Sequence, residues 1–284
     1  MNFREYLAEH YTTQTASRYA RAVDHFIIHA DSKKVTHKEI IDYLDKYKKA
    51  TAPVLAALKQ YFDFLIEQGT RNDHPCRTIS TKRKSKPMQH QDLFSVEELE
   101  LLMSREERYS ILKNRNKALL SLLIYQGLTP QNIINLRTVD IDLEVGTVYV
   151  MATRQLTRRT LELRSNQVLT LHKYIDEDRV ELLKTAELLS SSKYERLFVT
   201  KLGENLSVDA LNRMLRPLQG LYTNKNLNAS TIRQSVILNW INHYDYPMED
   251  VQLLAGHRWL SSTAKYKVIN REENREKINR FFPL

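Results

Sequence analysis

The sequence predicts a mainly α-helical protein of two domains with one small β-hairpin, and three observations carry that prediction. Apolar residues recur at spacings of three and four along most of the chain, the pattern of helices that bury one face. Gly146 to Thr153 and Thr160 to Leu163 read instead as strands about a polar, Arg-rich turn, which suggests a hairpin. Between two regions with apolar patterning lies a basic segment, residues 79–92, with almost nothing to pack, so it reads as a linker between domains at 1–78 and 93–284.

In the first domain the clearest helical stripe is Tyr19, Ala22, Val23, Phe26, Ile27 and Ala30. A second helix begins at Thr36, whose hydroxyl caps the backbone while Glu39 completes a capping box, and it carries Ile40, Ile41, Leu44 and Tyr47. A third carries Val54, Leu55, Leu58, Tyr61, Phe62 and Leu65 and stops at Gly69, which tolerates a left-handed cap. The linker contributes Lys82, Arg83, Lys84 and Lys86, either a solvated tether or a strap along a phosphate backbone.

The second domain opens at Leu93 and Phe94, followed by another capping box at Ser95 and Glu98, with Phe94 placed to staple against Leu99. Helical patterns follow at 114–126, 130–137, 165–186, 207–222, 230–243 and 248–255, and Leu197–Thr200 is a further short strand candidate.

Composition narrows the function classes. Forty-three Lys and Arg against 34 Asp and Glu give a net charge of +9, which attracts polyanions such as nucleic acid or an anionic membrane surface. No run of 18 apolar residues is present and the first residues are charged, so a cytoplasmic location without membrane association is expected. One cysteine, Cys76, excludes an internal disulfide and any multi-cysteine zinc site, and no H-E-x-x-H cluster offers a metal site. Six glycines form no phosphate-cradling loop, which argues against nucleotide-driven chemistry.

Gly127–Ile133, Ser230–Gln234, Leu254–His257 and Tyr266, taken in that order, resemble four motifs of the tyrosine recombinase (phage integrase) family, of the XerC and XerD type. Gly127-Leu128-Thr129-Pro130-Gln131-Asn132-Ile133, followed by Leu136 and Val139-Asp140-Ile141-Asp142, resembles the segment that carries that family's first arginine. Ser230-Thr231-Ile232-Arg233-Gln234 resembles its H-x-x-R-[HK] box, and Leu254-Ala255-Gly256-His257 resembles its L-G-H box. Tyr266 follows His257 by nine residues, the family's spacing to the nucleophile. The front domain, which ends in the stretch Asn72 to Cys76, resembles the family's core-binding (SAM-like) domain, so the resemblance covers nearly the whole chain.

The resemblance implies a transesterification in which a tyrosine oxygen attacks a DNA phosphate, leaving a 3′-phosphotyrosyl bond and a free 5′-hydroxyl. The bond energy is retained, so no ATP, metal or other cofactor is implied. Carried over by position, Tyr266 is the nucleophile, and Arg233 and His257 stabilise the charge that develops on phosphate. The family's first arginine is replaced by Thr129, its box histidine by Ser230 and its hairpin lysine by Arg154. Thr129 before Pro130 also reads as a helix cap, and Ser230 reads as a cap in the same way.

An arginine at 154 binds phosphate yet hardly releases a proton, since its pKa exceeds about 12. Arg154, Arg158 or Arg159 on the hairpin tip can supply the missing guanidinium or can simply bind phosphate, and Arg137, eight residues beyond Thr129, is a weaker substitute. Structural alternatives stand for the others too: a carboxylate-paired buried Arg233, a satisfied structural His257 and a packing Tyr266 in a short helix at 261–268. Two functions therefore remain open: a recombinase acting in site-specific DNA recombination or integration of mobile DNA, its activity weakened by the three replacements, or an inactive DNA-binding regulator or architectural partner. A protein-interaction module that never touches DNA explains the basic linker poorly. The implied partner is double-stranded DNA held in a C-shaped clamp. A tetramer on DNA is implied too, formed by exchange of the tail Glu272–Leu284, with a possible partner recombinase and a nucleoid-associated location.

Overall fold

The computed structural model describes residues 2–46, 51–81, 89–104, 106–185 and 195–267. The chain divides into two compact units, Met1–Pro87 and Met88–Leu284, each with its own apolar core. Linker residues Lys82, Arg83, Lys84 and Lys86, together with Tyr47 and the tail Glu272–Leu284, lie outside the described residues.

Among its described residues the first unit holds four helices: α1 (Phe3–His10), α2 (Thr13–His29), α3 (His37–Asp45) and α4 (Thr51–Glu67). Local chemistry sets their ends. Thr36 accepts from the Glu39 backbone while Glu39 reaches back to the cap, and Asn2 and Glu5 repeat the device on α1. Gly69, at φ +65°, turns the chain away after α4. Leu7, Phe26, Ile40, Leu58 and Phe62 are fully enclosed. Two residues of the expected stripes face outward: Ile27, because the buried face of α2 runs through Ala20, Val23 and Phe26, and Ile41, because that of α3 runs through Ile40, Tyr43 and Leu44.

The second unit is built around α6 (Lys113–Tyr125) and α11 (Ala229–Asn242), whose apolar residues are buried on nearly every side. Around them lie α5 (Val96–Glu100), α7 (Pro130–Asn135), α8 (Ser165–Lys173), α9 (Arg179–Thr185), α10 (Val208–Leu215), α12 (Met248–Ala255) and α13 (Leu260–Ala264). Ser95 and Glu98 form the expected capping box, and Phe94 and Leu99 both enter the core. Ser235 Oγ accepts from the Phe94 backbone at 2.8 Å, and Asn239 Nδ2 donates to the Phe94 carbonyl at 3.2 Å, which ties α11 to the entry of the domain.

The sheet is antiparallel, in the order β1 (Ile141–Asp142), β2 (Thr147–Val150), β3 (Arg159–Glu162). Strands β2 and β3 form the expected hairpin, with Val148 opposite Leu161 and Val150 opposite Arg159. That register puts Leu161 and Arg159 on the same buried face.

Several local expectations are corrected. Leu197–Thr200 forms no sheet strand; Val199 makes an isolated bridge to Asn205. The long helix expected at 165–186 is interrupted by a π-turn at Tyr174–Asp178, and the one at 207–222 tightens to a 3₁₀ turn at Arg216–Leu221, where Pro217 removes a backbone donor. Helix α7 ends at Asn135, so Arg137 lies beyond it and is held by Asp140 instead.

Candidate active site

Three turns and one helix bring the expected residues together. Gly127, at φ +55°, packs the α6–α7 turn against α11, and a Cβ there would stand 3.2 Å from Val236 Cγ1. Arg233, on α11, is buried and donates from Nη1 to the Gly127 carbonyl and from Nη2 to the Ala255 carbonyl, the latter at 2.7 Å. It therefore pins the α6–α7 turn and the end of α12 to α11. No carboxylate pairs with it among the described residues, so the carboxylate-paired alternative does not hold. Burial pulls its pKa down to about 10, with Tyr266 acting in the opposite direction, and the group stays charged at neutral pH.

Gly256 ends α12 in the left-handed conformation, φ +69°, and its carbonyl accepts from the Thr157 backbone at 2.9 Å. Leu156 pairs with His257 beside it, so the hairpin tip is held on the Gly256–His257 turn. A Cβ on residue 256 would also come within 2.9 Å of the Arg159 Cζ. Gly256→Ala is accordingly expected to cost at least about 1–2 kcal/mol from backbone strain alone, read as a lower denaturant midpoint.

His257 Nδ1 lies 2.9 Å from the Oγ1 of the fully buried Thr263. Burial first, then the positive charges of Arg233, Arg159 and Lys265, lower its pKa to about 4, so the imidazole is neutral at physiological pH. The folded state thus refuses a proton that the unfolded chain takes up near pH 6.5. His257 adds stability that is complete above about pH 6.5 and is lost as pH falls toward 4. Denaturant midpoints measured between pH 4 and 7 should fall less steeply in His257→Gln than in the parent.

Tyr266 does not belong to a helix spanning 261–268: α13 stops at Ala264, and Tyr266 follows in a turn, its N–H donating to the Thr263 carbonyl at 3.0 Å. Asn242 Nδ2 donates to the Tyr266 carbonyl at 2.9 Å. Its ring stacks on His257, with centroids 6.2 Å apart and planes 17° from parallel. The side chain is partly buried against the core rather than freely exposed, and burial raises its pKa, with Arg233 opposing.

Tyr266, Arg233, His257, Thr129 and Arg154 line one open pocket of about 650 Å³. The other expected residues do not. Ser230 is exposed, and it is not the cap of α11: Asn228 holds that position and accepts from the Ser230 backbone at 2.9 Å. Thr129 caps α7, and its hydroxyl both donates to Asn132 Oδ1 at 2.7 Å and accepts from the Asn132 backbone at 3.0 Å. The three hairpin arginines separate. Arg154 and Arg158 are exposed, whereas Arg159 is buried, its pKa pulled down to about 10 by desolvation and by the charge of Arg233. The pocket also holds Gln234, the last position of the Arg233 box, together with Lys265 and the exposed Trp259, which no motif had marked. The indole beside the His257 box is left 70% open to solvent, an exposure that only the fold reveals.

Comparison with known proteins extends the geometry. Residues 92–273 match the model of the phage integrase family. The tyrosine recombinase XerC of Oceanobacillus iheyensis is 24% identical over 256 residues, covering 88% of this chain and 81% of that protein. The fold is also that of the XerH site-specific recombinase in a pre-cleavage complex with difH substrate (TM-score 0.64, 18% identity, 97% and 81% of the two chains). A lambda integrase dimer bound to a COC′ core site gives a TM-score of 0.65 at 15% identity, over 95% and 94%.

Proposed function

This chain belongs to the phage integrase family, and on that premise we propose that it binds duplex DNA and exchanges strands through a covalent link at Tyr266. The observation that carries the proposal is the shared pocket: phenol, guanidinium and imidazole open onto one space, with the two rings stacked.

In the proposed reaction the Tyr266 oxygen attacks a backbone phosphorus, the P–O bond to the 5′-oxygen breaks, and a 3′-phosphotyrosyl diester forms. The phenolic proton leaves to solvent, and solvent returns one to the 5′-oxygen, with the exposed Arg154 serving as a phosphate-binding cation. Arg233, already oriented by two backbone carbonyls, offers its charge to the non-bridging oxygens without reorganising. When Thr263 donates to Nδ1, the neutral His257 carries its proton on Nε2 and has a second donor to give.

A second reading keeps the fold and drops the chemistry, and Thr129 favours it. Both bonding capacities of its hydroxyl are spent on capping α7, so it contributes neither charge nor a free donor to phosphate. A nicked suicide duplex, from which the cleaved fragment diffuses away, separates the two. A protein–DNA adduct that survives denaturation supports the recombinase; salt-sensitive retention of duplex without adduct supports a regulator or architectural partner. Pairing of copies on DNA through the tail Glu272–Leu284, and work beside a second recombinase, belong to the same proposal. Among the described residues no helix is long and apolar enough to cross a membrane.

A further inference from the structure

Arg159 opens β3, and its guanidinium lies against the Gly256 turn beside Arg233. Its Nη1 makes one long bond, 3.4 Å, to the Thr157 carbonyl, while Nε and Nη2 are buried with no acceptor. Among the described residues no carboxylate pairs with either arginine.

Two desolvated guanidiniums side by side repel each other, and each buried donor left unpaired adds a further cost. A fold that keeps both has a use for the excess charge, and the species that relieves all three costs together is an anion held between them. Thr129, on the wall of the neighbouring pocket, brings no charge of its own.

We infer that Arg159 is the second phosphate-binding guanidinium of this site, standing in from the hairpin for the cation that position 129 does not provide. The inference rests on the reading of the pocket given above and adds a residue to it. Arg233 and Arg159 together hold the two non-bridging oxygens of one phosphodiester. The Thr157–Gly256 and Leu156–His257 contacts join the hairpin tip to the Gly256–His257 turn and hold Arg159 in place beside it.

The test uses the full chain, inorganic phosphate as probe and the His257 ring resonances as reporter, with the suicide duplex assayed in parallel. Phosphate should perturb His257 in the parent protein, and Arg159→Met should weaken that binding roughly ten- to hundred-fold, the loss of a charge-assisted contact. The phosphate-free His257 should also titrate at higher pH in Arg159→Met, because one of the charges that depress it is gone; that shift checks that the substitution acts at the site, and the phosphate affinity decides the role. Equal phosphate affinity in parent and Arg159→Met overturns the inference even if adduct forms. Arg159-dependent phosphate binding with no adduct in the parent overturns the cleavage reading and leaves the inference intact. Should Arg159→Met fail to fold, Arg159→Lys keeps the charge but loses the fork: affinity several-fold weaker supports the assignment, and unchanged affinity overturns it.

Discussion

Tyr266→Phe is expected to abolish the covalent protein–DNA adduct outright, with duplex binding unchanged. The substitution removes one oxygen and little else. The phenol oxygen makes no hydrogen bond to the described residues, and the ring that stacks on His257 at 17° and packs on the core is retained. The backbone bonds that fix the turn, from Asn242 and to Thr263, do not involve the side chain. Stability should therefore change little, and the denaturant midpoint of the variant serves as the control. If adduct persists in Tyr266→Phe, another nucleophile does the work.

Arg233→Met is expected to show the largest combined effect, on chemistry and on the fold. Loss of one preorganised donor to a developing oxyanion costs about 3–4 kcal/mol, roughly a hundred- to thousand-fold in the rate of adduct formation. The same change strands the carbonyls of Gly127 and Ala255 in the interior, at about 1–3 kcal/mol each. Relief of the repulsion with Arg159 offsets part of that, so the stability loss should fall below the sum of the two carbonyl terms. Arg233→Lys separates the two contributions, because a single ammonium keeps the charge but not the two-carbonyl fork. It should recover more of the midpoint than of the rate. A variant that matches the parent in rate while losing stability would make Arg233 structural only.

Much of the fold was legible because its signals are local. The pairs Thr36 with Glu39 and Ser95 with Glu98 satisfy backbone donors within one turn, and Thr129 with Pro130 does the same for α7, so nothing distant could override them. The two-residue strand β1 had no pattern to read, and the π-turn at Tyr174–Asp178 sits where helical periodicity continues unbroken.

The site was legible in its order of motifs and not in its details. Ser230 resembled a cap because serine favours that role, yet Asn228, two residues earlier, holds it. The arginines at 154, 158 and 159 could not be ranked, although the alternation of β3 contained the answer. Residue 159 shares its face with Leu161, a core position, so register alone places Arg159 inside. A buried unpaired arginine runs against the ordinary rules of strand patterning, which is why it becomes meaningful only when Arg233 is found beside it.

The most direct test of the central claim is to locate the covalent bond. The adduct formed on a nicked duplex is digested with nuclease and with a protease that spares lysine, since Lys265 and Lys267 flank Tyr266, and the modified peptide is identified by mass spectrometry. The account predicts a nucleotide joined through its 3′-phosphate to the peptide that contains Tyr266. A link to any of the other tyrosines among the chain's fifteen, or no linked peptide at all from a protein that retains the duplex, would contradict it.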